Sequence, residues 1–211
     1  MGFGPDQLEA LAQCVDLINS GRTASPAAGS AVAVSGGAVA AAGGGAAVAE
    51  KITSLADVVS FARRHRVENL AAARTSDVAR LRELRGRLDS VARACEAGDE
   101  PTAIRELNSL LAETGAEPRI VAHDGRGPHI HVSRADAPIA DRIVAHCAMA
   151  LAELVVSGAA DRVRTCASPQ CQLVFIDLSR NHSRRYCDSR TCGNRVHVAA
   201  YRSRRSKAAR P

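Results

Sequence analysis

Apolar side chains recur every three or four residues over most of the first 160 positions, the period of a helix that buries one face. From Asp6 to Ser20, Leu8, Leu11, Val15 and Ile18 share such a face with Cys14 beside them, and Gly21 follows as a stop. A second helix is predicted from Ser54 to about Arg66 on Leu55, Val58, Val59 and Ala62. The most regular stretch runs from Ser76 to Ala97, where Val78, Leu81, Leu84, Leu88, Val91 and Cys95 are spaced by arginines. Pro101 suits the first turn of the next helix, which needs no N–H there. Its Ile104, Leu107, Leu110 and Leu111 are expected to face inward before Gly115 ends it. Asp136 to Gly158 reads as a long central helix with Ile139, Ile143, Cys147, Leu151, Leu154 and Val155 on its apolar side.

Two stretches break this period. "RIVAHDGRGPHIHVS", from Arg119 to Ser133, has two short alternating arms around Asp124-Gly125 and predicts a small β-hairpin. Residues 23–49 carry almost nothing but Ala, Gly, Val and Ser, too little side chain to offset the entropy of ordering them, so a flexible loop is expected. Neither GxGxxG nor Gly-Lys-Ser/Thr occurs among those glycines, which removes a phosphate-binding reading. The same stretch has too few large apolar residues to enter a bilayer, and no export signal opens the chain. The predicted architecture is mainly α: a helical N-terminal domain over residues 5–160 with a small β-hairpin, then a separate basic module over 162–208.

Charge sharpens that division. Residues 162–211 hold twelve Lys/Arg against Asp177 and Asp188, a balance of +10, whereas the first 161 residues have 16 basic and 20 acidic side chains, a balance of −4. An acidic body with a strongly basic end is the distribution expected when one part meets a polyanion.

The basic end also holds four of the seven cysteines. Cys166, Cys171, Cys187 and Cys192 form two C-x4-C pairs separated by fifteen residues. Zinc takes four thiolates at tetrahedral corners, and two short loops joined by a hairpin can supply them. Ser168-Pro169 bends the first loop, Leu173 to Asp177 forms a strand, and Ser189 can cap a helix whose first turn carries Cys192: a treble-clef-like zinc finger with one structural Zn2+. Disulfides or redox chemistry are the competing readings, and an odd number of cysteines in a chain without an export signal disfavours them. A closed thiolate shell leaves no open coordination position, and the chain lacks paired carboxylates, a nucleophile elbow and a phosphate loop, so no enzymatic activity is expected. Cys14, Cys95 and Cys147 read as small hydrophobes on helix faces. His129 and His131, with His123 or His146 as further candidates, read as solvent-facing or hydrogen-bonded side chains rather than metal ligands.

From Arg164, "RTCASPQCQLVFIDLSRNHSRRYCDSRTCGNRVHVAAYRSR" resembles the CGNR zinc finger in its C-x-x-P-x-C, F-x-D-x-S-R-N and R-R-x-C motifs, its basic helix and the tetrapeptide Cys192-Gly193-Asn194-Arg195. Tyr186 stands where that family usually has Trp. The body is similar to the ABATE domain that accompanies this finger in bacterial stress-induced transcriptional regulators, on "DLINS", "ELNSLLAE" and the order of elements. The resemblance implies a cytoplasmic, nucleoid-associated transcription regulator.

Arginine suits phosphate and guanine because its planar fork gives two parallel hydrogen bonds and never deprotonates. Arg180, Arg184, Arg185, Arg195, Arg202, Arg204, Arg205 and Lys207 are the candidate contacts to double-stranded DNA. Aromatic platforms for RNA bases are few, with only Phe175, Tyr186 and Tyr201 in this part of the chain. The rival reading is a zinc-stabilised protein-interaction or RNA-binding module. Asn194 and Arg195 suit an internal strut as well as a partner contact. The body is expected to sense a small-molecule effector or to form a homodimer.

Overall fold

The computed structural model describes residues 3–22, 33–35, 38–40, 50–122 and 127–208. Six α-helices carry most of them: α1 (Pro5–Asn19), α2 (Leu55–Arg64), α3 (Ser76–Ala97), α4 (Glu100–Glu113), α5 (Ile139–Val156) and α6 (Asn194–Ala208). Helices α3, α4 and α5 pack on one another and α1 lies along α5. Their shared interior is aliphatic: Leu11, Leu81, Leu84, Leu88, Leu110, Ile139, Ile143 and Leu151 are all buried, as the periodicity requires.

The boundaries have local causes. Ser54 opens α2 by accepting a hydrogen bond from Asp57 N–H, and Asp57 Oδ2 accepts from Ser54 N–H at 2.9 Å, so two otherwise unpaired donors are satisfied reciprocally. Gly98 ends α3 with φ of +72°, a left-handed conformation that costs glycine little, and Asp99 at once caps α4 by accepting from Thr102 N–H at 3.2 Å. This tight turn sets α3 and α4 antiparallel. On α4 the buried face is Ala103, Leu107 and Leu110, whereas Ile104 is 42% exposed. The expectation is corrected for Ile104 alone: Ala103 takes its place on the inward face beside Leu107 and Leu110, and Leu111 packs partly buried against the same core.

The strands form two sheets. A hairpin joins β3 (Arg119–Ala122) to β4 (Pro128–His131), pairing Ile120 with Ile130, and its predicted turn at Asp124-Gly125 lies outside the described residues. The second sheet has the order β1-β2-β6-β5, antiparallel throughout, from β1 (Ala33–Ser35), β2 (Ala38–Ala40), β5 (Val163–Thr165) and β6 (Val174–Asp177). Strands β1 and β2 fall inside the stretch expected to be a loop, and β2 pairs with β6 from Ala38 opposite Asp177 to Ala40 opposite Phe175. The rest of that stretch lies outside the described residues.

Strand β6 joins body to basic end. Successive side chains of a strand point to opposite faces. Val174 and Ile176, with Val163 of β5, belong to the helical core, while Leu173 and Phe175 belong to a smaller cluster around the four cysteines. One four-residue strand thus walls two cores. Polar ties reinforce it: Asn19 at the end of α1 bonds both backbone groups of Val174, Glu96 of α3 accepts from Thr165 N–H at 2.8 Å, and Arg22 Nη1 donates to the Gln172 carbonyl at 2.7 Å.

Candidate metal centre and nucleic-acid interface

The four predicted ligands come together. The Sγ atoms of Cys166, Cys171, Cys187 and Cys192 all lie within 4.8 Å of one another, with Cys171–Cys187 and Cys187–Cys192 each at 3.7 Å. A tetrahedron with Zn–S bonds of about 2.3 Å has S···S edges of about 3.8 Å, so the thiols are spaced as zinc ligands and far outside disulfide length. All four are buried and unbridged. Hydrogen bonds that the Cys187 thiol donates to Cys166 and Cys171, followed by burial, push it far up, and burial with the charges of Cys166 and Cys171 pushes Cys192 up to about 12. Thiolates crowded in a dry site require a cation, and zinc supplies one. The site fits one structural zinc ion.

The elements explain the spacing. Cys166 N–H donates to the Leu173 carbonyl at 2.9 Å and Cys171 N–H to the Ser168 carbonyl at 2.9 Å, closing the first loop into a knuckle beside the β5–β6 hairpin. Ser189 is not the cap. Asp188 is: its Oδ1 accepts from Arg190 N–H and Thr191 N–H, both at 2.8 Å, and opens a π-helical turn, Ser189–Gly193, that carries Cys192 and runs into α6. Gly193 is tight there, since a Cβ would stand 3.2 Å from Tyr186 Cδ2. Tyr186 packs on the cysteine cluster.

Asp177, fully buried, is the internal anchor of the finger; it is the acid of the F-x-D-x-S-R-N motif, which marks the position without showing what the carboxylate holds. Its carboxylate accepts from Ser179 N–H at 2.8 Å and Arg184 N–H at 2.9 Å, and Arg164 Nη1 stands 3.7 Å away. Burial raises its pKa, but these hydrogen bonds and the Arg164 charge more than offset that and hold it below the usual range.

The candidate DNA contacts separate into two groups. Arg184 turns inward, a correction to its expected place on the surface: Nε donates to the Tyr186 carbonyl at 2.9 Å, Nη2 to the Cys187 carbonyl at 2.8 Å, and the guanidinium lies 5.9 Å from the Phe175 ring centroid. It is the arginine that crosses the finger. Arg180, Arg185, Arg202, Arg204 and Arg205 are exposed, as is Arg190 on the π-helical turn, a further basic side chain outside the candidate set. Asn181 and Asn194 are exposed, whereas Arg195 is half-buried with a buried Nη1 that has no partner. The Lys207 side chain lies outside the described residues. From His197 onward every described side chain of α6 is exposed, including Val198 and Tyr201.

Elsewhere, Cys14, Cys95 and Cys147 are core residues; burial pushes Cys147 well up and Cys95 up to about 11, which keeps those two as unreactive thiols. Among the described residues the four cysteines are the only cluster of three or more His, Cys, Asp or Glu placed to hold a metal. His129 instead bonds Gly127 O and His131, and His146 bonds Gln13. Among the described residues no helix is long and apolar enough to cross a membrane.

A four-thiolate centre at the root of a basic helix, joined through one sheet to a helical body, defines a zinc-finger protein. The family model of the CGNR zinc finger matches residues 162–205, and that of ABATE, described as "Putative stress-induced transcription regulator", matches residues 11–158. The chain belongs to the ABATE family and ends in a CGNR zinc finger. Both families are of regulatory and zinc-finger type, not enzymatic. No curated protein matches it.

Proposed function

We propose that the protein is a DNA-binding transcription regulator in which the zinc centre fixes α6 and the finger's arginines against the phosphate backbone, while the body reads a small-molecule effector. The observation that carries this reading is α6 itself. It bears Arg195, Arg202, Arg204 and Arg205 with no acidic residue, and its described side chains from His197 outward are open to solvent. A helix of 15 residues with so little packing is marginal alone, and a polyanion can supply what the fold withholds. Arg195 and Arg202 lie about two turns apart on one face. At the root of the helix, Thr191 Oγ1 and Arg195 Nη1 are buried polar atoms without a hydrogen-bond partner. Arg180, Arg185 and Arg190 extend the positive surface around the metal centre.

Val198, 39% exposed, and Tyr201, 54% exposed, favour a second reading in which α6 docks on an acidic protein. Fluorescence anisotropy with a labelled duplex, a single-stranded RNA and an acidic peptide separates the two. The regulator reading expects duplex to bind tightest and the joint change Arg202→Ala, Arg204→Ala and Arg205→Ala to abolish that preference. Preference for the peptide, or duplex binding indifferent to the three changes, contradicts it.

A further inference from the structure

The helical body contains a cavity of about 340 Å³ lined by residues from α1, the segment after α2, β4 and the start of α5, with none from the finger. That volume is within the range of small-molecule sites, about 300–1,000 Å³. Three of its lining side chains keep a buried polar atom with no hydrogen-bond partner: Gln13 Nε2, Ser133 Oγ and Arg142 Nη1. Buried donors of this kind are costly, more so when charged, and three around one cavity point to a ligand that accepts from them. Gln13 is only 2% exposed, and its Oε1 takes a hydrogen bond from His146 Nδ1 at 2.7 Å, which leaves the amide N–H2 as the unmatched end.

The charges at the site are arranged by depth. Asp6, Glu9, Arg66 and Glu68 are exposed at the mouth, and Glu9 pairs with Arg66 at 3.5 Å. Arg142 is the formally charged side chain that reaches inward. Burial works against its guanidinium, and Glu68 offsets only part of this. Val67, Ile130 and Val132 give the cavity an apolar side. One inward positive charge, two neutral donors and an apolar wall match a ligand with one negative charge, several acceptor lone pairs and a hydrocarbon part.

We infer that this cavity binds a small organic monocarboxylate, its oxygens accepting from Arg142, Gln13 and Ser133 and its hydrocarbon part lying on Val67 and Val132. The inference names the ligand class for the effector role proposed for the body and depends on that role only for its regulatory meaning. Helix α1 presents Gln13 to the cavity and Asn19 to the finger strand, so one rigid element touches both sites.

The test is calorimetric and thermal titration of the intact zinc-loaded protein, without DNA, using butyrate and benzoate against butanol and benzamide. The acids are expected to saturate and raise the Tm, and to bind at least about tenfold more tightly than their neutral analogues. Arg142→Met should lose about tenfold or more in acid affinity and Ser133→Ala a smaller factor. Without ligand, Arg142→Met should be at least as stable as the parent, because it removes a buried donor that has no partner. Neutral analogues binding as tightly as the acids, or undiminished acid binding by Arg142→Met, overturns the carboxylate class and leaves an effector of other chemistry. A less stable ligand-free Arg142→Met makes the guanidinium a structural support and overturns it too, with Ser133→Ala as the independent check on affinity. Saturation by none of the four probes overturns both the ligand class and the effector reading, and leaves DNA binding to its own test.

Discussion

Asn19 pairs with Val174 as a neighbouring strand would: Nδ2 donates to the Val174 carbonyl and Oδ1 accepts from its N–H, each at 2.8 Å, across 155 residues of sequence. Both residues are buried, and the described β2 pairing reaches the position opposite Phe175, so the carboxamide bonds the next residue along β6. This fixes the end of α1 to the wall shared by the two cores.

Asn19→Ala leaves a buried N–H and a buried carbonyl without partners, for a loss of about 2–4 kcal/mol in urea unfolding of the zinc-loaded protein. Asn19→Asp should be worse, since it sets an acceptor against the Val174 carbonyl. A loss below about 0.5 kcal/mol for the alanine variant means that water or a repacked strand replaces the pair.

Arg184 and Arg185 are adjacent yet have opposite roles. Arg184→Ala removes donors to the Tyr186 and Cys187 carbonyls and should lower both Tm and zinc retention against a chelator. Arg185→Ala, at an exposed site, should leave both within experimental error and weaken only duplex binding. Equal Tm losses in the two variants contradict the assignment.

Zinc removal should reach beyond the finger. Purified reduced protein is expected to carry one equivalent of zinc, and Cys192→Ser to retain far less. Because Val174 and Ile176 belong to the helical core, chelation should also lower the Tm of the body, followed by its helical circular dichroism. An unchanged body transition would show that the two cores do not share β6.

Asp16 gives the body a predictable acid limb. Burial raises its pKa, but the hydrogen bond from His65 at 2.9 Å, the His65 charge and Arg64 outweigh this and hold it below the ordinary value of 3.8. A depressed folded pKa contributes stability that is complete above the unfolded value and is lost as pH falls through the folded one. Asp16→Asn should therefore be less stable than the parent near neutral pH, and the gap in urea midpoints should close progressively below pH 3.8. A gap independent of pH removes the ion pair from the account.

The helices and the four ligands were legible because each rests on a short-range rule: a helical period in Leu81, Leu84 and Leu88, and a paired spacing in the cysteines. What the sequence did not reveal depends on distant partners. Asn19 reads as a helix end until Val174 is beside it, Asp177 as one letter of a motif until the Ser179 and Arg184 N–H groups close on it, and Gln13 as a polar position until α5 covers it. The helical spacing predicts Ile104 inward with Leu107 and Leu110, yet Ala103 is buried there and Ile104 is exposed, because spacing leaves the choice between adjacent positions to the neighbouring helices.

The central claim is that exposed arginines on a zinc-fixed helix bind duplex DNA, and the salt dependence of binding tests it most directly. Each lost phosphate contact should lower the slope of log K against log salt by about 0.9. If Arg202, Arg204 and Arg205 each contact phosphate, their joint change to Ala should lower it by about 2.7, with zinc content unchanged. An unchanged slope, or parental affinity after zinc removal, would contradict the claim.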